Sequence, residues 1–384
     1  MNSKSYIKSI FLFITLLLTV TALTNYIVDP GNIYPKYYSQ DNRVTPEFFV
    51  KKLIESKYGL LKPKNVWNDR DIKKELAIYP DSYDCALIGS SQIMQISSYR
   101  QNKSLTTTCP KLKNLGVSGG SLEDYLALTN LVLKNKESLP KVVVFGINPW
   151  SLNFGRDLRW RKYEQDYYEM KKKISLKYAT KNLSNENESN IALLLNLFNL
   201  EYLKSSLSNI SKAKIEKVTQ ASKFNQNIGL DHQVILPDGS LIYSSRLLKR
   251  DKNFDDGRNS YKIVNNLYYQ QHAIEIFTKL IQHLINYEID VVLLLTPYHH
   301  SVWNNQEQPI IEAFKIVEEK VHDIAKQNKI KVIGSFNPNN IGCLENEFTD
   351  TMHSTDECLM KLELSLIHIS EPTRRTPISY AVFC

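Results

Sequence analysis

The chain has 384 residues, with 48 Lys and Arg against 40 Asp and Glu and a formal net charge of +8. A surplus of that size suits a position near an anionic membrane surface or envelope polymer. No basic stripe with interleaved aromatics and no nucleic-acid-binding motif is present, which excludes nucleic acid as the expected partner.

Residues 1–8, with Lys4 and Lys8, read as a cytoplasmic N-terminus. Residues 9–28 carry no charge, and a run of that length spans a bilayer as a helix. Cations on its N-terminal side favour keeping that end inside and exporting the remainder. Val20-Thr21-Ala22 offers a signal-peptidase site, so membrane anchor and cleaved signal peptide both stay open. Either way the rest of the chain is expected on the exported, periplasmic or extracellular, side. Residues 29–80, opening on "DPGNIYPKYY", read as a juxtamembrane linker followed by a charged helical region.

From 81 to 363 the pattern is that of one α/β domain. Short apolar runs at 84–89, 141–147, 290–296 and 330–336 read as strands covered on both faces. Amphipathic segments at 121–135, 265–287 and 307–327 read as the helices between them, giving a parallel sheet with crossovers. Ser121 followed by Asp124 marks a capped helix start. Residues 152–260 interrupt this rhythm and read as an insertion or cap, with a solvated helical hairpin as the alternative. Within it a helix is expected over 190–206. A hairpin is expected over 232–244, where Pro237-Asp238-Gly239 is the turn signal. The tail 364–384, "LSLIHISEPTR" onward, resembles the translation of a sequencing adapter, so the natural frame is expected to end near Glu363. Setting the tail aside removes two arginines and one glutamate, and the net charge becomes +7.

The chemistry-bearing residues fall where strands end. In an open parallel sheet, ligands bind beyond the carboxyl ends of the strands. The first predicted strand ends in Gly89-Ser90-Ser91, and a glycine-rich loop, "NLGVSGGSLEDY", leads into the helix at 121. The run "VVVFGINPW" places Asn148 just past a strand, and "FTDTMHSTDE" carries Asp350 and His353 three residues apart. Each feature alone is ordinary.

Their order resembles the four blocks of the SGNH (GDSL-like) hydrolase superfamily, over about 85–150 and 290–360. The resemblance implies a flavodoxin-like three-layer α/β/α sandwich around a parallel sheet. It implies Ser91 as nucleophile, His353 as base and Asp350 as its orienting carboxylate. The oxyanion hole would be the N–H groups of Ser91 and Gly119 with the Asn148 side-chain amide. No cofactor and no metal is implied. Ser90 stands where the family usually has Asp, which makes hydrolytic efficiency the open point.

The expected activity is that of an exported serine esterase or O-acyltransferase acting on ester-linked acyl groups of cell-envelope or extracellular glycans, through an acyl-serine. The expected partners are an acylated glycan or other ester substrate, the membrane, and envelope-biosynthesis proteins. The alternatives are a lipase- or thioesterase-type hydrolase, and a catalytically silent protein that binds a glycan or a partner. A serine hydroxyl attacks only when a base removes its proton, and histidine suits that role near neutral pH.

His299 and His300, after a predicted strand, form a second candidate base without a nearby orienting carboxylate. His232, His272, His283 and His322 read as surface or helix-packing residues. Trp150 and Trp303 read either as pocket walls or as core. Four cysteines remain once the tail is set aside, without metal-site spacing. Cys343 with Cys358 would close the loop holding Asp350 and His353, and Cys85 with Cys109 would form a second disulfide. Free thiols are the alternative.

Overall fold

The computed structural model describes residues 3–28, 45–56, 59–62, 68–100, 105, 109–136, 138–155, 157–174, 191, 194–195, 197–209, 233–243, 269–304 and 309–369, although not every side chain within them. The strands are Leu60–Leu61 (β1), Cys85–Gly89 (β2), Leu112–Asn114 (β3), Val142–Ile147 (β4), Val234–Ile235 (β5), Leu241–Ile242 (β6), Asp290–Leu295 (β7) and Lys331–Gly334 (β8). The longer helices are Ser3–Val28 (α1), Pro46–Glu55 (α2), Asp69–Ile78 (α3), Leu122–Lys134 (α4), Glu164–Ile174 (α5), Leu200–Asn209 (α6), Gln271–Asn286 (α7), Pro309–Asn328 (α8) and Asp356–Ile369 (α9).

Five strands form one parallel sheet in the order β3-β2-β4-β7-β8. Counted along the chain this is the doubly wound 2-1-3-4-5 order, whose direction reverses between β2 and β4. A crevice is expected at that switch point, beyond Gly89 and Ile147. Side chains alternate between the two faces, as the pleat requires. Ala86, Ile88, Val143, Phe145, Leu293 and Leu295 face the larger core, with α4, α7 and α8. Leu87, Val144, Val292, Leu294 and Ile333 face a smaller one, closed by Leu359 and Leu362 of α9. Helices therefore cover both faces, but unequally. The β2–β3 connection, which could have supplied another helix, contains only a short turn at Ser91–Ile93 among its described residues.

The stretch read as linker and charged helical region contributes to the core. Phe49, Val50 and Leu53 of α2 and Ile72 and Leu76 of α3 are buried. Arg70 and Lys73 are buried too. The Arg70 guanidinium makes two bonds to Asp124, and Lys73 donates to the carbonyls of Asn114 and Gly239. Charge on this stretch masked its burial, because each cation meets its partner only in the fold.

The insertion divides into structured parts. Its first helix, α5, lies on the outer face of α4. Asn130 and Lys134 of α4 reach Asp166 at 3.0 and 2.6 Å, and Trp160, Tyr163, Tyr167 and Met170 are buried. That part is not a solvated hairpin. The predicted 232–244 hairpin is present as β5 and β6, and β1 adds to it antiparallel, Leu60 opposite Ile235. The helix expected over 190–206 is broken by a turn at Phe198, and α6 starts at Leu200. His232 and the rest of the insertion lie outside the described residues, as does the tail beyond Ile369.

α1 contains a 23-residue stretch, Tyr6–Val28, long and apolar enough to cross a membrane. Both disulfides are formed, Cys85–Cys109 and Cys343–Cys358. Cys343–Cys358 joins residues 15 apart in sequence, and closing a loop of that size stabilises by roughly 3 kcal/mol in the chain-entropy model. Urea unfolding of a Cys343→Ser, Cys358→Ser variant should show a loss of about that size. An unchanged midpoint would mean that the loop is held by other contacts.

Candidate active site

β2 ends at Gly89, and the chain turns into the one-turn helix Ser91–Ile93 with Ser90 as its N-cap. The Ser90 hydroxyl accepts the Gln92 N–H, so it is turned into the turn and buried. Ser91 is the residue presented outward. Its Oγ lies 2.8 Å from His353 Nε2, and His353 Nδ1 lies 2.8 Å from Asp350 Oδ2. Residues 262 positions apart are thus joined in one hydrogen-bonded chain of hydroxyl, imidazole and carboxylate.

The Asp350 carboxylate also accepts the N–H groups of Met352 and His353, at 2.7 and 2.8 Å. Burial alone would push its pKa up. The His353 ring, by hydrogen bond and by charge, together with those two N–H groups, holds it below the usual carboxylate value. The histidine loop is fastened to the serine loop by amides. Gln92 Nε2 donates to the Met352 carbonyl at 2.9 Å, and Gln95 donates to that of Ser354. Thr296, at the end of β7, in turn donates to Gln92 Oε1. These two glutamines escaped the sequence reading, because nothing local distinguishes a bridging Gln from a surface one.

The oxyanion candidates come from the neighbouring strand ends. Asn148 follows β4 and is 1% exposed, and its side-chain Nδ2 has no hydrogen-bond partner among the described residues. A buried amide without a partner is costly, which makes Asn148 a candidate oxyanion donor. Gly119 has φ +61°, a conformation open to glycine, and its side-chain position is filled by the Arg159–Asp157 pair of the insertion. A Cβ on Gly120 would stand 2.5 Å from the Gly89 carbonyl oxygen and 3.0 Å from Ser90 Cα. The Gly119–Gly120 loop is therefore pressed against the Ser90–Ser91 turn, where only glycine fits. The sequence-predicted residues Ser91, His353 and Asp350 are bonded together. Gly119 and Asn148 stand on the loops that flank them.

The insertion also reaches the site through Tyr243. Its hydroxyl lies 3.4 Å from the Ser91 carbonyl, and its ring stands edge-on to His353 with centroids 6.2 Å apart. Burial raises this phenol well above its usual pKa, which keeps it a neutral donor. No local signal pointed to it, since its place depends on the hairpin packing beside the Ser91 turn, where the Leu241 N–H donates to the Met94 carbonyl.

The alternative base fails on geometry. His299 bonds Ser301 and the Glu345 carbonyl, and the His300 ring packs near Phe348. Neither contacts Ser91. Trp303 is core, with its indole N–H donating to the Phe336 carbonyl and its ring against Phe314. Trp150 packs half-buried on the main core. His272 and His283 lie on α7 near Glu275 and Tyr287, and His322 is exposed. Cys343, Cys358 and Glu347 cluster within 4.8 Å, but the sulfurs are bonded to each other and Glu347 pairs with Lys361. A surface groove of about 620 Å³ lined by Lys74, Arg161, Lys162 and Tyr168 shares no residue with the triad.

Glu123, in the first turn of α4, is 3% exposed and accepts the Gly155 N–H at 2.7 Å. This bond ties the loop that leads to Asp157 and Arg159 back to α4. Burial pushes the carboxyl from 4.5 up to about 7 against that bond. A folded-state value above the unfolded one means that stability is full below the unfolded value and is lost as pH rises through the folded one. Glu123→Gln should therefore match the wild type below about pH 4 and gain on the order of 3 kcal/mol relative to it by about pH 8. Parallel melting curves of the two proteins across that range would contradict the assignment.

No protein-family model and no curated protein matches this chain.

Proposed function

We propose that the chain is an exported, membrane-anchored serine esterase or O-acyltransferase of SGNH type, acting on ester-linked acyl groups of cell-envelope or extracellular glycans. The observation that carries the catalytic part is the bonded series Ser91–His353–Asp350 beside the unpartnered Asn148 amide. The glycan class follows from the family resemblance and from a domain held outside by an N-terminal apolar helix.

In this reading His353 Nε2 takes the Ser91 proton as Oγ bonds to the ester carbonyl carbon. Asp350 fixes the imidazole tautomer and stabilises the imidazolium. The tetrahedral oxyanion is received by the Asn148 amide with the N–H groups of Ser91 and Gly119. His353 returns the proton to the departing alcohol, leaving acyl-Ser91. Water or a sugar hydroxyl then attacks the acyl carbon, again through His353, and frees the serine.

Purified full-length protein with an O-acylated glycan should release acid, or transfer the acyl group to an added sugar acceptor. Asn148→Ala should lower turnover by roughly 100- to 1,000-fold, the usual cost of losing one oxyanion donor. Preference for long-chain glycerides or thioesters would favour the lipase-type reading. Glycan binding without turnover would favour the silent binder, for which Ser90 in place of the family's Asp is the motivating departure.

A further inference from the structure

We propose that the protein meets the membrane at a second place besides α1. This is an apolar patch on the inserted segment that lies at the headgroup boundary of the exported leaflet and associates with anionic phospholipid. The inference rests on α1 crossing the bilayer and is independent of the chemistry at Ser91.

The patch is made by Ile191, Leu194, Leu195, Phe198, Leu200 and Leu207, which are 54%, 59%, 63%, 42%, 73% and 55% exposed. That many large apolar side chains exposed within one short stretch is unusual for a surface that faces only water. Its place relative to the span is set by hydrogen bonds. Asn25 of α1 is 0% exposed, and its Nδ2 donates to the carbonyls of Leu197 at 2.8 Å and Asn199 at 3.2 Å. Its Oδ1 accepts the Ser206 hydroxyl of α6 at 2.9 Å. Thr21, one turn earlier on the same face, is 5% exposed. An asparagine in an apolar helix is costly unless satisfied, and here the inserted segment satisfies it.

Depth follows from helix geometry. The uncharged run ends at Val28, so Asn25 lies about 5 Å, less than one turn, from the outer end of the span. A segment fastened to Asn25 is thereby held at the boundary between acyl chains and headgroups, the depth at which amphipathic helices settle. Leu23 and Ile27, beside Asn25 on α1, are themselves 53% and 63% exposed.

Charge identifies the lipid. Between Lys171 and Lys223 the sequence has ten lysines and four glutamates, a surplus of six in a chain whose net charge is +8. That stretch of sequence thus accounts for most of the chain's net charge, although for only ten of its 48 Lys and Arg. Lysines close to a bilayer are drawn to acidic headgroups.

The test uses the full chain in bilayer discs. Three single-site variants, Leu195→Cys, Leu16→Cys and Lys141→Cys, are each made on a Cys384→Ser background and labelled with an environment-sensitive fluorophore. Leu195 and Leu16 are exposed apolar positions of the patch and of α1, and the Lys141 side chain is 82% exposed on the sheet domain. The expected result is blue-shifted emission at both Leu195 and Leu16. Quenching at Leu195 should come from nitroxides near the headgroups, and at Leu16 from nitroxides deep in the acyl chains. Lys141 should be quenched by aqueous iodide. Quenching at Leu195 by headgroup nitroxides should rise at least about twofold when acidic lipid replaces part of the zwitterionic lipid, and fall again in high salt. Iodide quenching at Leu195 with Leu16 still in lipid would overturn the patch and leave the anchor standing. Both sites in water would overturn both. Protection of Leu195 in native membranes but not in pure lipid would assign the patch to a membrane protein and overturn the lipid proposal. Indifference to acidic lipid would overturn its anionic part.

Discussion

Replacing Ser91 or His353 with alanine is expected to lower turnover by roughly four orders of magnitude or more, and the double replacement should be little worse than either alone. The hydroxyl and the ring are 2.8 Å apart, and a nucleophile without its base, or a base without its nucleophile, has nothing left to lose. Asp350→Asn should cost less than either but still on the order of a thousandfold, because its amide would offer a donor to an imidazole nitrogen that must itself donate. Ser90→Ala should be mild, since that hydroxyl serves only to cap the turn. Full activity in His353→Ala would remove the base from the account. A collapse in Ser90→Ala would mean that the cap positions Ser91 far more tightly than its 3.3 Å bond to Gln92 suggests.

The second large effect is on stability. Arg70→Ala is expected to cost about 3–5 kcal/mol, the range for breaking one side of a buried ion pair. Arg70 and Asp124 are both 0% exposed at their side chains and meet through two parallel bonds of 2.8 and 2.7 Å. Arg70 also donates to the Ser118 carbonyl, and Asp124 accepts the Ser121 N–H. The pair therefore holds both ends of the Gly119–Gly120 loop. Removing both charges, as Arg70→Met with Asp124→Leu, should recover part of the lost stability, because no unpaired charge stays buried. Activity should not recover with it, since the loop loses its anchors. Urea unfolding and turnover measured on the same preparations separate the two effects. A cost below about 1 kcal/mol for Arg70→Ala would contradict the account of this loop.

Four of the five strands of the central sheet were legible because they are short, largely apolar runs, a pattern that needs no knowledge of distant residues. β3 was not, since Lys113 and Asn114 break the apolar pattern in a strand of three residues. Ser91, Asn148 and His353 were legible for a related reason, since each follows a strand or sits in a late loop where parallel-sheet chemistry gathers. Arg70, Lys73, Gln92 and Tyr243 were not. Their roles depend on partners 54, 41, 260 and 152 positions away, and a charged or polar side chain carries no local mark of such a partner. The addition of β1 to β5 was hidden for the same reason, as two-residue strands leave no periodicity to read. The break at Phe198 in the helix expected over 190–206 also lacked a local signal. It is where Asn25 takes the carbonyls of Leu197 and Asn199 as acceptors.

The most direct measurement is covalent labelling of the full-length protein with a serine-reactive phosphonate, followed by peptide mapping. A single adduct is expected on Ser91, abolished in His353→Ala although that variant stays folded. An adduct on Ser90, or labelling of Ser91 that persists undiminished without His353, would contradict this assignment.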